Sequence, residues 1–514
     1  MNQRNWEYKV GLVSAEAERL EATGISGLDD ILGGGLTPDR LYIVEGTPGT
    51  GKTTFGMGFL LAGAAIGEAG LYITLAETER ELLAVGKSHG WSLDAITIME
   101  MVPVDGLGEE QEQTLLHPSE VELGETIRTI MRMVTELRPA RVVIDSLSEL
   151  RLLAQSPVRY RRQILALKHF FSTCRCTVLV LDDKSSAGND LQLHSIAHGV
   201  IMLEQSLSGF GGQRRRLHVV KMRGMQYRGG YHDFEIEHGG LQVFPRLVAA
   251  GQAMLYDATP VSTGSADFDE LLGGGLVPGT ATLFTGPAGV GKTTTSVQCM
   301  CAGLKRGDKA VYFLFDERLP TLLARSTALG LDVTSYMESG QLSMRAIDPA
   351  ELSPGEFASA VRSAVEENGA KIVVIDSLNA YLQSMPNEQF LVLQMHELLT
   401  YLGQRGVVTL LVLGMHGVMG DIRSDVDLSY LADTAVQLRY FEAFGEVRQA
   451  ISVIKTRTAR HERTIREFQI SHNGLVFGKP LREFQGVLTG IPTFSGDGHA
   501  LLPGNLVATT AGSA

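Results

Sequence analysis

Two segments of this chain fit the phosphate-loop pattern G-x-x-x-x-G-K-[ST] at every fixed position: GTPGTGKT at 46–53 and GPAGVGKT at 286–293. The pattern has a mechanical basis. Its glycines let backbone N–H groups close around phosphate oxygens, Lys52 or Lys292 reaches the β and γ phosphates, and Thr53 or Thr293 offers a hydroxyl to magnesium. It works only between a strand and a helix, so it restricts the fold as well as the ligand.

The surroundings repeat too. TGISGLDDILGGGL (23–36) and TGSADFDELLGGGL (263–276) are offset by 240 residues, as are the loops. A self-similarity of that length is a duplicated domain rather than a solenoid repeat. Each loop follows an apolar run, LYIVEG or ATLFTG, and precedes a helical pattern, TTFGMGFLLAGAAI or TTTSVQCMCAGL. The expected fold class is therefore α/β, with tandem P-loop NTPase domains whose predominantly parallel sheets are flanked by helices. The divisions expected are a lead-in at 1–22, a first domain at 23–248, a linker at 249–262, a second domain at 263–485 and a flexible tail at 486–514.

At 514 residues the chain exceeds one ordinary core, and its 44% hydrophobic content suffices for two. The net charge of −13 disfavours a surface that coats nucleic acid. No stretch reads as a membrane span and the start, MNQRNWEYKV, lacks a signal-peptide core, so a cytoplasmic location is expected. The cysteines, Cys174, Cys176, Cys299 and Cys301, form two C-x-C pairs that read as buried small hydrophobes rather than a metal site.

Other chemistry recurs in both halves. RVVIDSL (141–147) and KIVVIDSL (371–378) read as buried parallel strands ending in Asp145 and Asp376. There the carboxylates would hold magnesium through water, with Thr53 and Thr293 as the hydroxyl ligands. The segments LYITLAET and VYFLFDER place Glu77 and Glu317 at equivalent positions, suited to orienting and polarising water for attack on the γ-phosphate. The preceding residue is Ala76 in one and Asp316 in the other. Finally, Lys221 and Arg223 match Lys455 and Arg457. Residues i and i+2 of a strand face the same way, so each pair could meet a phosphate across a subunit boundary. The run Arg214–Arg216 has no counterpart and reads as a solvated turn.

These residues resemble the KaiC family of double-domain RecA-like ATPases from the cyanobacterial circadian clock. The likeness covers roughly residues 15–490 and includes REFQIS-x-x-G-L at 466–475. It implies a homohexamer of two stacked rings with ATP at subunit interfaces, ADP as product and magnesium as cofactor. In clock members the second ring also phosphorylates its own adjacent Ser and Thr residues. By matching position, the resemblance assigns nucleotide binding in the first site to Thr47, Pro48, Gly49, Thr50, Gly51, Lys52, Thr53, Thr54 and Asp145. In the second it assigns Pro287, Ala288, Gly289, Val290, Gly291, Lys292, Thr293, Thr294, Asp376 and His461. Glu77, Asp316, Glu317, Lys221, Arg223, Lys455 and Arg457 receive catalytic roles.

Two departures stand out. The family commonly has a Glu pair where Ala76–Glu77 stands. The phosphorylation segment is matched by VDLSYLADT (426–434), in which Ser429 is the acceptor candidate and Tyr430 replaces Thr. The tyrosine hydroxyl lies further from the backbone, and a misplacement of about 1 Å can cost roughly 100-fold in rate. A KaiB-like partner is compatible with the resemblance; the tail lacks an obvious match to the segment that receives KaiA, which argues against a KaiA-type activator. Two other readings stay open: a RecA-like DNA-processing ATPase, to be told apart by salt-dependent DNA binding, and a scaffold that nucleotide merely stabilises, to be told apart by turnover.

Overall fold

The computed structural model describes residues 20–101, 118–154, 156–184, 191–207, 212–249, 255–383, 388–415, 417, 430–458, 460–472, 474–489, 492–494 and 501–502. The chain divides into two compact units that meet in sequence at Arg246 and Leu247. Residues 1–19 of the expected lead-in and 250–254 of the expected linker lie outside the described residues.

The first unit is built on β1 (Leu41–Gly46), β2 (Gly70–Thr74), β3 (Ile96–Glu100), β4 (Arg141–Asp145), β5 (Thr177–Asp183), β6 (Gly199–Leu207), β7 (Gln213–Met222), β8 (His232–Glu237) and β9 (Gly240–Phe244). They form one sheet in the order β3-β2-β4-β5-β1-β6-β7-β8-β9. Strands β3 to β6 along that order run parallel, and β7 to β9 complete the sheet antiparallel. The second unit repeats the plan with β10 (Ala281–Gly286), β11 (Ala310–Leu314), β12 (Leu342–Ala346), β13 (Ile372–Asp376), β14 (Val408–Gly414), β15 (Thr434–Ala443), β16 (Glu446–Thr456), β17 (Arg466–Ser471) and β18 (Gly474–Pro480), in the order β12-β11-β13-β14-β10-β15-β16-β17-β18. The fold class is α/β, with tandem RecA-like domains whose mostly parallel sheets are flanked by helices.

The apolar strands explain this layering. Every residue of β1 is buried. Successive side chains serve opposite faces: Tyr42 and Val44 join one core, Leu41 and Ile43 the other. The helix Lys52–Ala65 that follows the first loop packs Phe55, Phe59 and Leu60 into the first of these cores. In the second unit Phe284 and Leu283 divide in the same manner.

Three local expectations change. Arg214–Arg216 lie within β7, not in a turn. Arg214 is buried, Arg215 pairs with Glu235 at 3.6 Å, and Arg216 pairs with Glu204 at 3.0 Å while lying over the Tyr231 ring. Cross-strand carboxylates make a strand tolerable for this run. Cys174 is exposed at the end of the helix Pro157–Cys174, whereas Cys176, Cys299 and Cys301 are buried. Part of the segment expected as a flexible tail is packed. Here β19 (Phe484–Gln485) pairs with β20 (Thr493–Phe494), and Val487 and Phe484 join Phe441 in a small core that Leu501 packs against. That aromatic and aliphatic content outweighs the Gly, Ser and Thr around it.

Candidate nucleotide sites

Both phosphate loops sit at the carboxyl end of the central parallel strands, β1 and β10. Each loop turns through left-handed glycines: Gly49 at φ 84° and Gly51 at 95°, Gly289 at 77° and Gly291 at 108°. Only glycine adopts these angles without strain. A Cβ on Gly51 would stand 2.6 Å from Ile236 Cδ1, and one on Gly291 would stand 2.8 Å from Ile470 Cδ1. The helices Lys52–Ala65 and Lys292–Lys305 begin at the loop lysines, so their amino ends face any phosphate held there.

Asp145 and Asp376 end β4 and β13, as expected. Asp145 Oδ2 accepts from Thr53 Oγ1 at 3.1 Å and from Tyr72 Oη at 2.6 Å. Asp376 Oδ2 accepts from Thr293 Oγ1 at 2.7 Å and from Tyr312 Oη at 2.8 Å. Burial raises both carboxyls above their ordinary range, against the lowering effect of these hydrogen bonds. Each unit thus brings a hydroxyl and a carboxylate together at the start of a phosphate-facing helix, a donor set of hard oxygens that fits magnesium. Tyr72 and Tyr312 were missed in the motif reading. Their recurrence at the same 240-residue offset was available as a signal.

The proposed water-activating carboxylates differ. Glu77 follows β2, and its backbone is fixed by Thr74, whose hydroxyl exchanges hydrogen bonds with Glu77 N–H and C=O at 3.0 and 2.7 Å. Its Oε2 is buried with no hydrogen-bond partner among the described residues. Desolvation, then the charge of Asp145, raises its pKa. Glu317 instead accepts from Arg325 at 2.8 Å. Asp316 accepts from Ser377 Oγ, a contact for which Ala76 offers no acceptor.

The lysines differ as well. Lys52 donates to Gly46 O at 3.0 Å and Thr47 O at 3.2 Å, and it pairs with Asp183 at 2.8 Å. Lys292 donates to Pro287 O at 2.7 Å, and desolvation lowers its pKa.

The structure separates the K-x-R pairs from their own phosphate loops. Lys221 pairs in register with Val200, and Val200 with Ile43, so the pair lies toward the amino end of β1. Lys455 pairs with Ala435, and Ala435 with Leu283, in the same sense. Ile43 and Leu283 stand three residues, about 10 Å, before Gly46 and Gly286, and two inter-strand steps of about 4.8 Å each lie between, which together exceed the reach of one side chain. Lys221 donates to His194 O, and Arg223 donates to Ser195 O at 2.7 Å. Lys455 donates to Ala432 O at 2.9 Å, and Arg457 donates to Tyr430 O at 2.9 Å and faces Asp433 at 3.7 Å. His461 lies on the connection between β16 and β17, at this same end. Ser429 lies outside the described residues; Tyr430 beside it is exposed.

Among the described residues no cluster of His, Cys, Asp and Glu could hold a metal by itself, and no helix is long and apolar enough to cross a membrane.

Comparison with known proteins agrees with this geometry. The family described as "ATPase: KaiC" matches twice, over residues 21–248 and 261–482. The circadian clock protein KaiC3 of Synechocystis sp. is 25% identical over 484 residues, which cover 93% of this chain and 95% of that protein. The circadian clock oscillator protein KaiC of Synechococcus elongatus is 28% identical over 486 residues, covering 92% and 91% respectively. That of Thermosynechococcus vestitus is 27% identical over 487 residues, covering 93% of each chain. With two phosphate loops on two RecA-like sheets and a family match across both, this chain belongs to the KaiC family of ATPases.

Proposed function

We propose that the chain works as a homohexameric, magnesium-dependent ATPase in circadian timing or related signalling, with its nucleotides at subunit interfaces and a serine phosphotransfer centred on the second site. The observation that carries the assembly is the position of the K-x-R pairs. Lys221 and Arg223, like Lys455 and Arg457, sit two strands across from β1 or β10 and three or more residues back from its loop end, toward the end where a neighbour's nucleotide could meet them. There they would stabilise charge on the transferring phosphoryl group from the adjacent subunit.

Within each site the loop backbone, Lys52 or Lys292, and the helix amino terminus bind and orient the triphosphate. Thr53 with Asp145, and Thr293 with Asp376, would hold magnesium, which neutralises charge on the phosphates. In the first site Glu77 takes a proton from attacking water while ADP leaves with the bridging oxygen. In the second site the Ser429 hydroxyl of the adjacent subunit is the proposed nucleophile, since the Tyr430 carbonyl beside it accepts from Arg457 at the end away from its own loop. Its proton passes to Asp316 or Glu317, the new bond joins Oγ to the γ-phosphorus, and ADP is again the leaving group. The proposed compartment is the cytoplasm, and a KaiB-like protein is the proposed partner class.

A native mass measurement with and without ATP and magnesium tests both parts. The expected result is a nucleotide-dependent hexamer bearing covalent phosphate that maps to Ser429. A monomer at saturating ATP removes the interface reading. Phosphate on Tyr430 alone removes the argument from hydroxyl reach, and a hexamer without phosphate leaves an ATPase lacking kinase output.

A further inference from the structure

The two phosphate loops are near-copies, yet their lysines meet different environments. Asp183 is the last residue of β5 and stands level with Gly46 in the β1–β5 register. Its carboxylate lies 2.8 Å from Lys52 Nζ, which also donates to Gly46 O and Thr47 O. An ammonium has three protons, and these contacts use all of them. Lys52 is buried, with 9% of its side chain exposed. Asp183 is further steered by Ser148, whose Oγ donates to Oδ2 at 3.2 Å.

In the second unit the register pairs Gly286 with Gly414, so glycine holds the place of Asp183. The residue matching Ser148 is Asn379, three positions beyond Asp376 as Ser148 is beyond Asp145. Asn379 bonds to Gly414 through its neutral amide, at 2.6 Å to N–H and 3.0 Å to C=O. The Ser–Asp pair is thus exchanged as a unit for an Asn–Gly pair, and the negative charge beside the loop lysine goes with it.

We propose that Asp183 is a built-in anion that competes with nucleotide phosphate for Lys52, lowering the affinity of the first site below what its loop would otherwise give. To engage a β- or γ-phosphate, Lys52 must release Asp183 or share protons with it. The carboxylate and the phosphate also repel one another. Magnesium offsets part of that repulsion, so the penalty is greatest for metal-free nucleotide. Product ADP would leave the first site faster for the same reason. The inference rests on the reading that these loops bind nucleotide.

The test uses the full chain with Lys292→Ala to silence the second site, and a fluorescent ADP derivative as probe. Asp183→Asn should lower Kd by roughly three- to tenfold, since Asp183 is partly exposed and screened. The gain should be larger in EDTA than in magnesium and should shrink at high salt. Asp183→Glu, which keeps the charge, should retain the parent affinity. An Asp183→Asn chain that binds equally or more weakly in EDTA overturns the proposal. If neither the Lys292→Ala chain nor a Lys52→Ala chain binds the probe at all, the nucleotide reading itself fails and takes the proposal with it.

Discussion

Glu77 and Glu317 hold the same place in the duplicated sequence but meet different neighbours. Glu77 keeps a buried oxygen without a hydrogen-bond partner among the described residues, while Glu317 is tied to Arg325. A carboxylate whose pKa is raised is a better base once deprotonated, but it is protonated at higher pH. The acid limb of kcat/KM for the first site should therefore fall above the ordinary carboxylate value of 4.5, with activity lost as pH drops through the raised pKa. A pH profile of the Lys292→Ala chain reads this directly. Glu77→Gln should lower that turnover by roughly 100-fold or more while nucleotide binding persists; unchanged hydrolysis would assign the role to another carboxylate. At the second site, Arg325→Ala should free Glu317. In a Lys52→Ala chain this is expected to raise ATP hydrolysis several-fold, and a fall would mean that the ion pair positions Glu317 productively.

At the scale of elements, the ends of strands do the work. The loops follow β1 and β10, the aspartates proposed to hold magnesium terminate β4 and β13, and the cation pairs lie at and just past the carboxyl ends of β7 and β16. Mixing two inactive variants tests that division. One carries Lys52→Ala and the other Lys221→Ala with Arg223→Ala, both in the Lys292→Ala background. If the cations serve a neighbour, mixed assemblies should regain part of the ATPase activity, because some interfaces then combine an intact loop with an intact pair. No recovery on subunit exchange would point to action within one chain. Much of this arrangement was legible in sequence, since buried parallel strands write apolar runs and phosphate loops demand glycine at fixed places. The tyrosines on Asp145 and Asp376, the Arg325–Glu317 pair and the Asp183 contact were not read. The tyrosine and Asp183 contacts depend on which strands are neighbours, and the order β2-β4-β5-β1 is set by crossovers that local pattern does not encode; the Arg325–Glu317 pair spans eight residues and depends on where the helix Leu319–Ala328 begins.

For the whole molecule, the interface reading has a thermodynamic signature. A ligand that binds only the assembled state stabilises it by mass action, to about 2.7 kcal/mol at 100 times its Kd. Thermal unfolding should therefore move upward with ATP and become dependent on protein concentration. A shift with ATP that ignores protein concentration would separate binding from assembly.

The strand at the end of the second unit also fixes where that unit can be cut. The family match stops at residue 482, which invites a boundary there. Yet Glu467, with 1% of its side chain exposed, accepts from Leu502 N–H at 2.6 Å and from Arg448 at 2.8 Å, while Arg448 donates to Leu502 O at 2.9 Å. Removing residues 483–514 strips Phe441 of Phe484 and Val487 and takes one donor from a buried carboxylate. Losing that hydrogen bond alone costs about 1–3 kcal/mol. A border drawn from homology would thus shear a domain through its own core.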